Sequence, residues 1–162
     1  MIQLVAAEHF DCSLDTVKRA LQRLDHIYPL YCPEEHLTCT YLKGHPLLEG
    51  SILAFEEYIA GKKHHLTYRV DSIVETSEST TLVLRAMFPR SLFNIHVIFQ
   101  LVDDGDGVEF SRMLSVGYRK PILGTCIDRL FFLVIGREYY EAMQTHNRED
   151  LQQLKDYLEH EC

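Results

Sequence analysis

His146 and Asp150 stand four residues apart in a stretch of helical periodicity, so an imidazole and a carboxylate share one helix face. Such a pair can ligate a metal ion, or the carboxylate can orient the imidazole from behind. The same residues can also belong to a solvated polar stretch, Gln144 to Asp150, that merely breaks a helix. Glu57 is the next residue of chemical interest. Alternation along Ser51 to Ile59 puts Leu53, Phe55, Glu57 and Ile59 on one face, and Ile52, Ala54, Glu56 and Tyr58 on the other. The first face is more uniformly apolar, so it should turn inward and take Glu57 with it. An inward carboxylate needs a metal, a cation or its own proton, unless it lies near a sheet end and reaches water. His26 closes a helical segment, where a protonated imidazole suits the helix dipole. His36 and His45 fall in the segment expected over a cavity mouth, and His9, His64, His65, His96 and His160 read as surface or sheet-edge residues.

The elements that must position these groups can be read from periodicity and breakers. Ile2 to Phe10 reads as a strand. Ser13 is a suitable N-cap, and Leu14, Val17, Leu21 and Leu24 recur at helical spacing to about Asp25 or His26. Pro29 and Pro33 are expected to end that helix, and Glu34 to Leu42 is expected to form a second short helix with Pro33 at its first position. From Ser51 the period becomes two. Strands are expected over Ser51 to Ile59, His65 to Val74, Thr81 to Phe88, Phe93 to Val102 and Val108 to Val116, with Asp103 to Gly107 as a hairpin turn. Beyond Pro121 and Gly124 a helical stripe runs through Ile127, Phe131, Ile135, Tyr139, Met143, His146, Asp150, Leu154 and Leu158. Asn147 could divide that helix and cap a second piece. The order implies one α+β domain over residues 1–162: a curved antiparallel sheet of about six strands wrapped around the long last helix.

Composition narrows the classes. The chain has 162 residues, a formal net charge of -8 and no Lys/Arg-rich block, so no nucleic-acid partner is expected. Its longest apolar run, Leu130 to Ile135, is too short to span a bilayer. The first ten residues contain Glu8 and His9 and lack a basic lead-in, so no signal peptide is expected. Cys12, Cys32, Cys39, Cys126 and Cys162 have no metal-type spacing and are expected to be reduced thiols of a cytoplasmic protein. Phe131 to Ile135 is apolar enough to leave a homodimer open.

This element order, together with Leu48-x-Gly50-x-x-x-Phe55-Glu-Glu-x-Ile-x-Gly61 at the opening of the sheet, resembles the START-like (SRPBCC) superfamily of helix-grip proteins. The segment His26 to His36, the carboxylates of the next strand and the pair His146/Asp150 are similar to its diacetylphloroglucinol hydrolase branch. Members of that branch hold zinc in the cavity and cleave a carbon–carbon bond of an acylated phenol. The resemblance implies a zinc site made by His26, Glu57, His146 and Asp150, with Asp150 standing where a Glu is expected. A set of two histidines and two carboxylates with an open position suits zinc, and also iron or manganese.

Two functional readings lead, ahead of a structural or interaction domain whose cavity is closed by side chains. The first is a metal-dependent hydrolase or lyase acting on a small aromatic, polyketide-like compound, such as an acylated phenol. There the metal would polarise a ketone oxygen or acidify a water. Tyr31 and His36 are then candidates for proton transfer, and Phe55, Tyr68, Tyr139 and Met143 for holding the ligand. The second is a metal-free binding protein or cyclase whose cavity holds a lipid or aromatic ligand by shape and apolar contact.

Overall fold

The protein's structure, a computed structural model, describes residues 2–59, 61–87, 93–118 and 136–161. Seven strands make one curved antiparallel sheet: β1 (Ile2–Phe10), β2 (His36–Lys43), β3 (Ile52–Ile59), β4 (Lys62–Glu75), β5 (Ser79–Ala86), β6 (Phe93–Asp103) and β7 (Val108–Tyr118). Their order across the sheet is β1-β7-β6-β5-β4-β3-β2, so β1 and β2 are the edges. Two short helices, α1 (Leu14–Gln22) and α2 (Leu24–Tyr31), follow β1, and α3 (Arg137–Glu161) ends the chain.

Each helix forms where the sequence predicts an apolar stripe. The Ser13 side chain accepts a hydrogen bond from the Thr16 amide at 3.3 Å and caps α1. Leu14, Val17, Ala20 and Leu21 of α1 and Leu24, Ile27 and Tyr28 of α2 are buried. Pro29 does not end the second helix; it lies inside α2, which continues to Tyr31. A proline there forfeits one backbone bond, and the buried stripe holds the turn in place. Leu151, Leu154 and Leu158 of α3 join the same core as Phe10, Leu101 and Phe110. Helix α3 packs against β1 and also touches β3 and α2. It runs unbroken through Asn147, because that side chain accepts a bond from Arg112 Nε at 2.6 Å instead of capping a new helix. The expected stripe residues Ile127, Phe131 and Ile135, and with them the apolar run to Ile135, lie outside the described residues.

The segment after Pro33 is an edge strand, β2, where a second short helix is expected from Pro33. It brings the sheet to seven strands. Its alternation is interrupted by a register shift between His36 and Thr38. That bulge lets His36 and Cys39, an odd number of residues apart, both be buried, which hides the period of two. At the other edge, a Cβ on Gly107 would collide with the Phe10 carbonyl oxygen, so only glycine lets the β6–β7 turn pass the end of β1.

Cys32 and Cys39 are free and buried, and burial pushes the Cys39 thiol up to about 12. Cys12 is disulfide-bonded, which departs from the reduced state expected of it. No helix among the described residues is long and apolar enough to cross a membrane.

Candidate functional site

The inward faces of β3 to β7, with α1, α2 and α3, enclose a cavity of about 330 Å³. Most of its lining is apolar, including Phe55, Leu66, Leu84, Val97, Phe99 and Met143. Glu57, Arg112, His146 and Asp150 of this lining, with the buried His36, come from four elements. On β3, Leu53, Phe55, Glu57 and Ile59 are all buried, so alternation does carry Glu57 inward. The β2–β3 register places His36 opposite Glu57. Helix α3 supplies His146 and Asp150 one turn apart, and β7 supplies Arg112 between Phe110 and Leu114.

His36, Glu57 and His146 offer ligand atoms that all lie within 4.8 Å of one another. Glu57 Oε2 is 3.9 Å from His36 Nε2 and 4.0 Å from His146 Nε2. Asp150 Oδ1 lies 3.2 Å from His36 Nε2, yet neither atom has an aligned hydrogen-bond partner. The reason is the state of the rings. His36 Nδ1 lies 3.2 Å from the Tyr28 carbonyl oxygen, which can only accept, so Nδ1 carries the hydrogen and Nε2 presents a lone pair. His146 Nδ1 lies 2.8 Å from a Glu35 carboxylate oxygen, which assigns a hydrogen to Nδ1 and, in the neutral ring, leaves the lone pair on Nε2. Burial, then the neighbouring His146 and Arg112, lowers the His36 pKa to about 3, so its ring is neutral at physiological pH. The Tyr28 stack on the His36 ring, with centroids 3.9 Å apart, fixes its plane.

Two imidazole nitrogens and the Glu57 carboxylate therefore face one another in an apolar surround, with Asp150 Oδ1 beside His36. Acceptors so arranged repel one another unless a cation or a proton stands between them. Tetrahedral ligands at metal distances of about 2.0–2.2 Å lie roughly 3.3–3.6 Å apart. The observed separations, 3.2 to 4.0 Å, bracket that range. Both histidines also carry the outer hydrogen bond that metal-ligating imidazoles use to set their tautomer. The residues present thus fit a divalent ion, with His36, Glu57 and His146 able to hold it and Asp150 Oδ1 beside them. The carboxylates have protein partners as well: the Tyr28 hydroxyl donates to Glu57 Oε2, and Arg112 pairs with Asp150 Oδ2.

The sequence-predicted residues divide by position. Glu57 lies 4.0 Å from His146, and Asp150 stands beside His36 at 3.2 Å. His26 does not join them; it lies off the buried stripe of α2, its side chain is 71% exposed, and its neighbour is Asp25 at 3.6 Å. His36, expected near the mouth in a proton-transfer role, is the buried imidazole of the cluster. Tyr31, Phe55, Tyr68, Tyr139 and Met143 all line the cavity. His45 is exposed. His64, read as a surface residue, lines the cavity instead and lies 3.2 Å from the Tyr139 hydroxyl. Tyr28, Glu35 and Arg112 were missed. A signal existed for Arg112, the one charge in the alternating set Val108, Phe110, Arg112, Leu114, Val116. Nothing local marks Glu35, whose partner His146 is 111 residues away.

No family profile matches the sequence, and no curated protein does. Solved structures match its shape. The KanY protein is 12% identical, over 98% of this chain and 97% of that one, with a TM-score of 0.66. Major latex-like protein 151 from Panax ginseng is 14% identical, over 90% of this chain and 97% of that one, with a TM-score of 0.59. A START superfamily protein from Mycobacterium smegmatis is 18% identical, over 90% of this chain and 96% of that one, with a TM-score of 0.56. At these identities the likeness is one of fold: a START-like helix-grip architecture, as expected from the element order.

Proposed function

We propose that this helix-grip chain binds a small aromatic, polyketide-like ligand in its cavity and acts on it as a metal-dependent hydrolase or lyase, with zinc as the first candidate metal. The observation that carries the reading is the convergence of His36, His146 and Glu57, whose ligand atoms all lie within 4.8 Å of one another, with Asp150 Oδ1 3.2 Å from His36 Nε2. Metal chemistry at such a site is Lewis-acid activation of a carbonyl group. The chain's own residues would do the rest. The Tyr28 carbonyl and the Glu35 carboxylate hold the two imidazoles in the ligating tautomer. Arg112 balances the charge of Asp150. The apolar walls keep water from the ligand, which strengthens every electrostatic contact inside.

A metal-free ligand-binding protein is the second reading, favoured by the protein partners that Glu57 and Asp150 already have in Tyr28 and Arg112. Elemental analysis of protein purified without added metal separates the two. About one equivalent of zinc, iron or manganese, lost in the His36→Ala/Glu57→Ala double variant, is expected under the first reading. Wild-type protein that carries no metal and takes none up on dialysis against zinc would overturn it.

A further inference from the structure

Asn147 sits in the middle of the α3 face that lines the cavity, between Met143 one turn before it and Leu151 one turn after. Its side chain is buried, with the residue 3% exposed. Its Oδ1 lies 2.6 Å from Arg112 Nε on β7. A guanidinium nitrogen can only donate, so the atom it meets is the amide oxygen and Nδ2 is the NH2 group. That NH2 group has no hydrogen-bond partner among the described residues. The Arg112 bond thus accounts for the oxygen of this amide and leaves its nitrogen unexplained. A buried donor left without an acceptor costs stability, which an occupant carrying an acceptor would recover. The unpartnered atoms of the metal cluster, His36 Nε2 and Asp150 Oδ1, are of the opposite kind: both are acceptors, which a cation satisfies. A cation does nothing for an NH2 donor, so Asn147 calls for a different partner.

The charges around the amide select which acceptor fits. Arg112 is committed to Asp150 Oδ2 and to the Asn147 oxygen, so its charge is not free for an incoming anion. Glu57 and Asp150 line the same cavity and would repel one. An uncharged carbonyl oxygen accepts from the NH2 group without that repulsion and brings no hydrogen that needs an acceptor of its own. We propose that Asn147 is a specificity-determining residue whose NH2 group donates to a neutral carbonyl oxygen of the ligand, a ketone or an ester, while Arg112 holds the amide in orientation. This rests on the cavity being a ligand site, as proposed above, and needs no metal.

The test compares acetophenone with α-methylstyrene, which has the same planar shape but a CH2 group in place of the carbonyl oxygen. Affinities are measured by titration calorimetry on the full chain, with a chelator present and again after zinc is added. Asn147→Asp keeps an acceptor for Arg112 Nε and replaces the NH2 group with an oxygen, whereas Asn147→Leu removes both. In either variant the affinity for acetophenone relative to α-methylstyrene is expected to fall about tenfold. The α-methylstyrene affinity should stay unchanged and so reports that the cavity is intact. A ratio that survives both substitutions overturns the proposal. Nitrogen-15 NMR of the wild type needs no folded variant: the Asn147 side-chain NH2 resonances should move downfield with acetophenone and not with α-methylstyrene. An amide with a purely structural role would respond equally to the two probes, and that result also overturns the proposal. If the wild-type ratio drops on chelation and no Asn147 substitution alters it, the metal takes the carbonyl; the proposal then falls and the metal reading stands. If the protein takes up no metal and the ratio still depends on Asn147, the metal reading falls and the proposal stands. Wild-type protein that binds neither probe overturns the ligand reading and this assignment together.

Discussion

Lowering the pH of the metal-free protein from 7 to 5 should cost about 2 kcal/mol of folding stability through His36 alone. The ring is fully buried, and burial, with His146 and Arg112 nearby, lowers its pKa from 6.5 to about 3. The unfolded chain takes up a proton near pH 6.5, while the native protein declines it until about pH 3. Stability from this group is therefore complete above 6.5 and is lost as the pH falls toward 3. Between 6.5 and 5 the loss spans 1.5 pH units, at about 1.4 kcal/mol per unit, hence about 2 kcal/mol. Urea unfolding in the presence of a chelator, at pH 7 and pH 5, gives the loss for wild type and for His36→Gln. The wild type should lose about 2 kcal/mol more than the variant, or roughly 4–8 °C more in Tm for a chain of this size. Parallel losses in the two proteins would refute the argument that His36 is held neutral by its surroundings.

Other outcomes follow from the same geometry. Glu35→Ala should weaken zinc binding by about 10–100-fold in competition with a chromogenic chelator, because His146 loses the partner that sets its tautomer. Its effect on unfolding should be small, since the Glu35 side chain is 39% exposed. Arg112→Leu should destabilise the metal-free protein by about 3–5 kcal/mol, leaving Asp150 buried without a counter-charge; adding Asp150→Asn should recover part of that in chemical denaturation. Gly107→Ala should cost about 1–3 kcal/mol, measured the same way, because the new methyl group meets a backbone carbonyl that cannot turn aside.

Much of the scaffold was legible because its signals are local. The α1 stripe and its Ser13 cap, the alternation of β3 and the turn at Asp103 to Gly107 each depend on a few adjacent residues. The inward turn of Glu57 followed from alternation, and the shared face of His146 and Asp150 from helical spacing. β2 was misread because Pro33 is an acceptable helix start and the bulge after His36 breaks the period of two. His26 was preferred over His36 because the resemblance matched it to a metal-binding histidine, and with the segment after Pro33 taken for a helix nothing directed His36 inward.

The sequence by itself determined the order of elements, the apolar faces and which side of β3 and α3 carries its polar residues, because those follow from backbone periods acting over a few residues. Only the tertiary structure decided which polar residues meet. Whether His36 or His26 joins Glu57, whether Glu35 reaches His146 across 111 residues, and whether Arg112 balances Asp150 depend on strand register and on how α3 lies against the sheet. Those are set by long-range packing, to which the alternation of any single segment is blind.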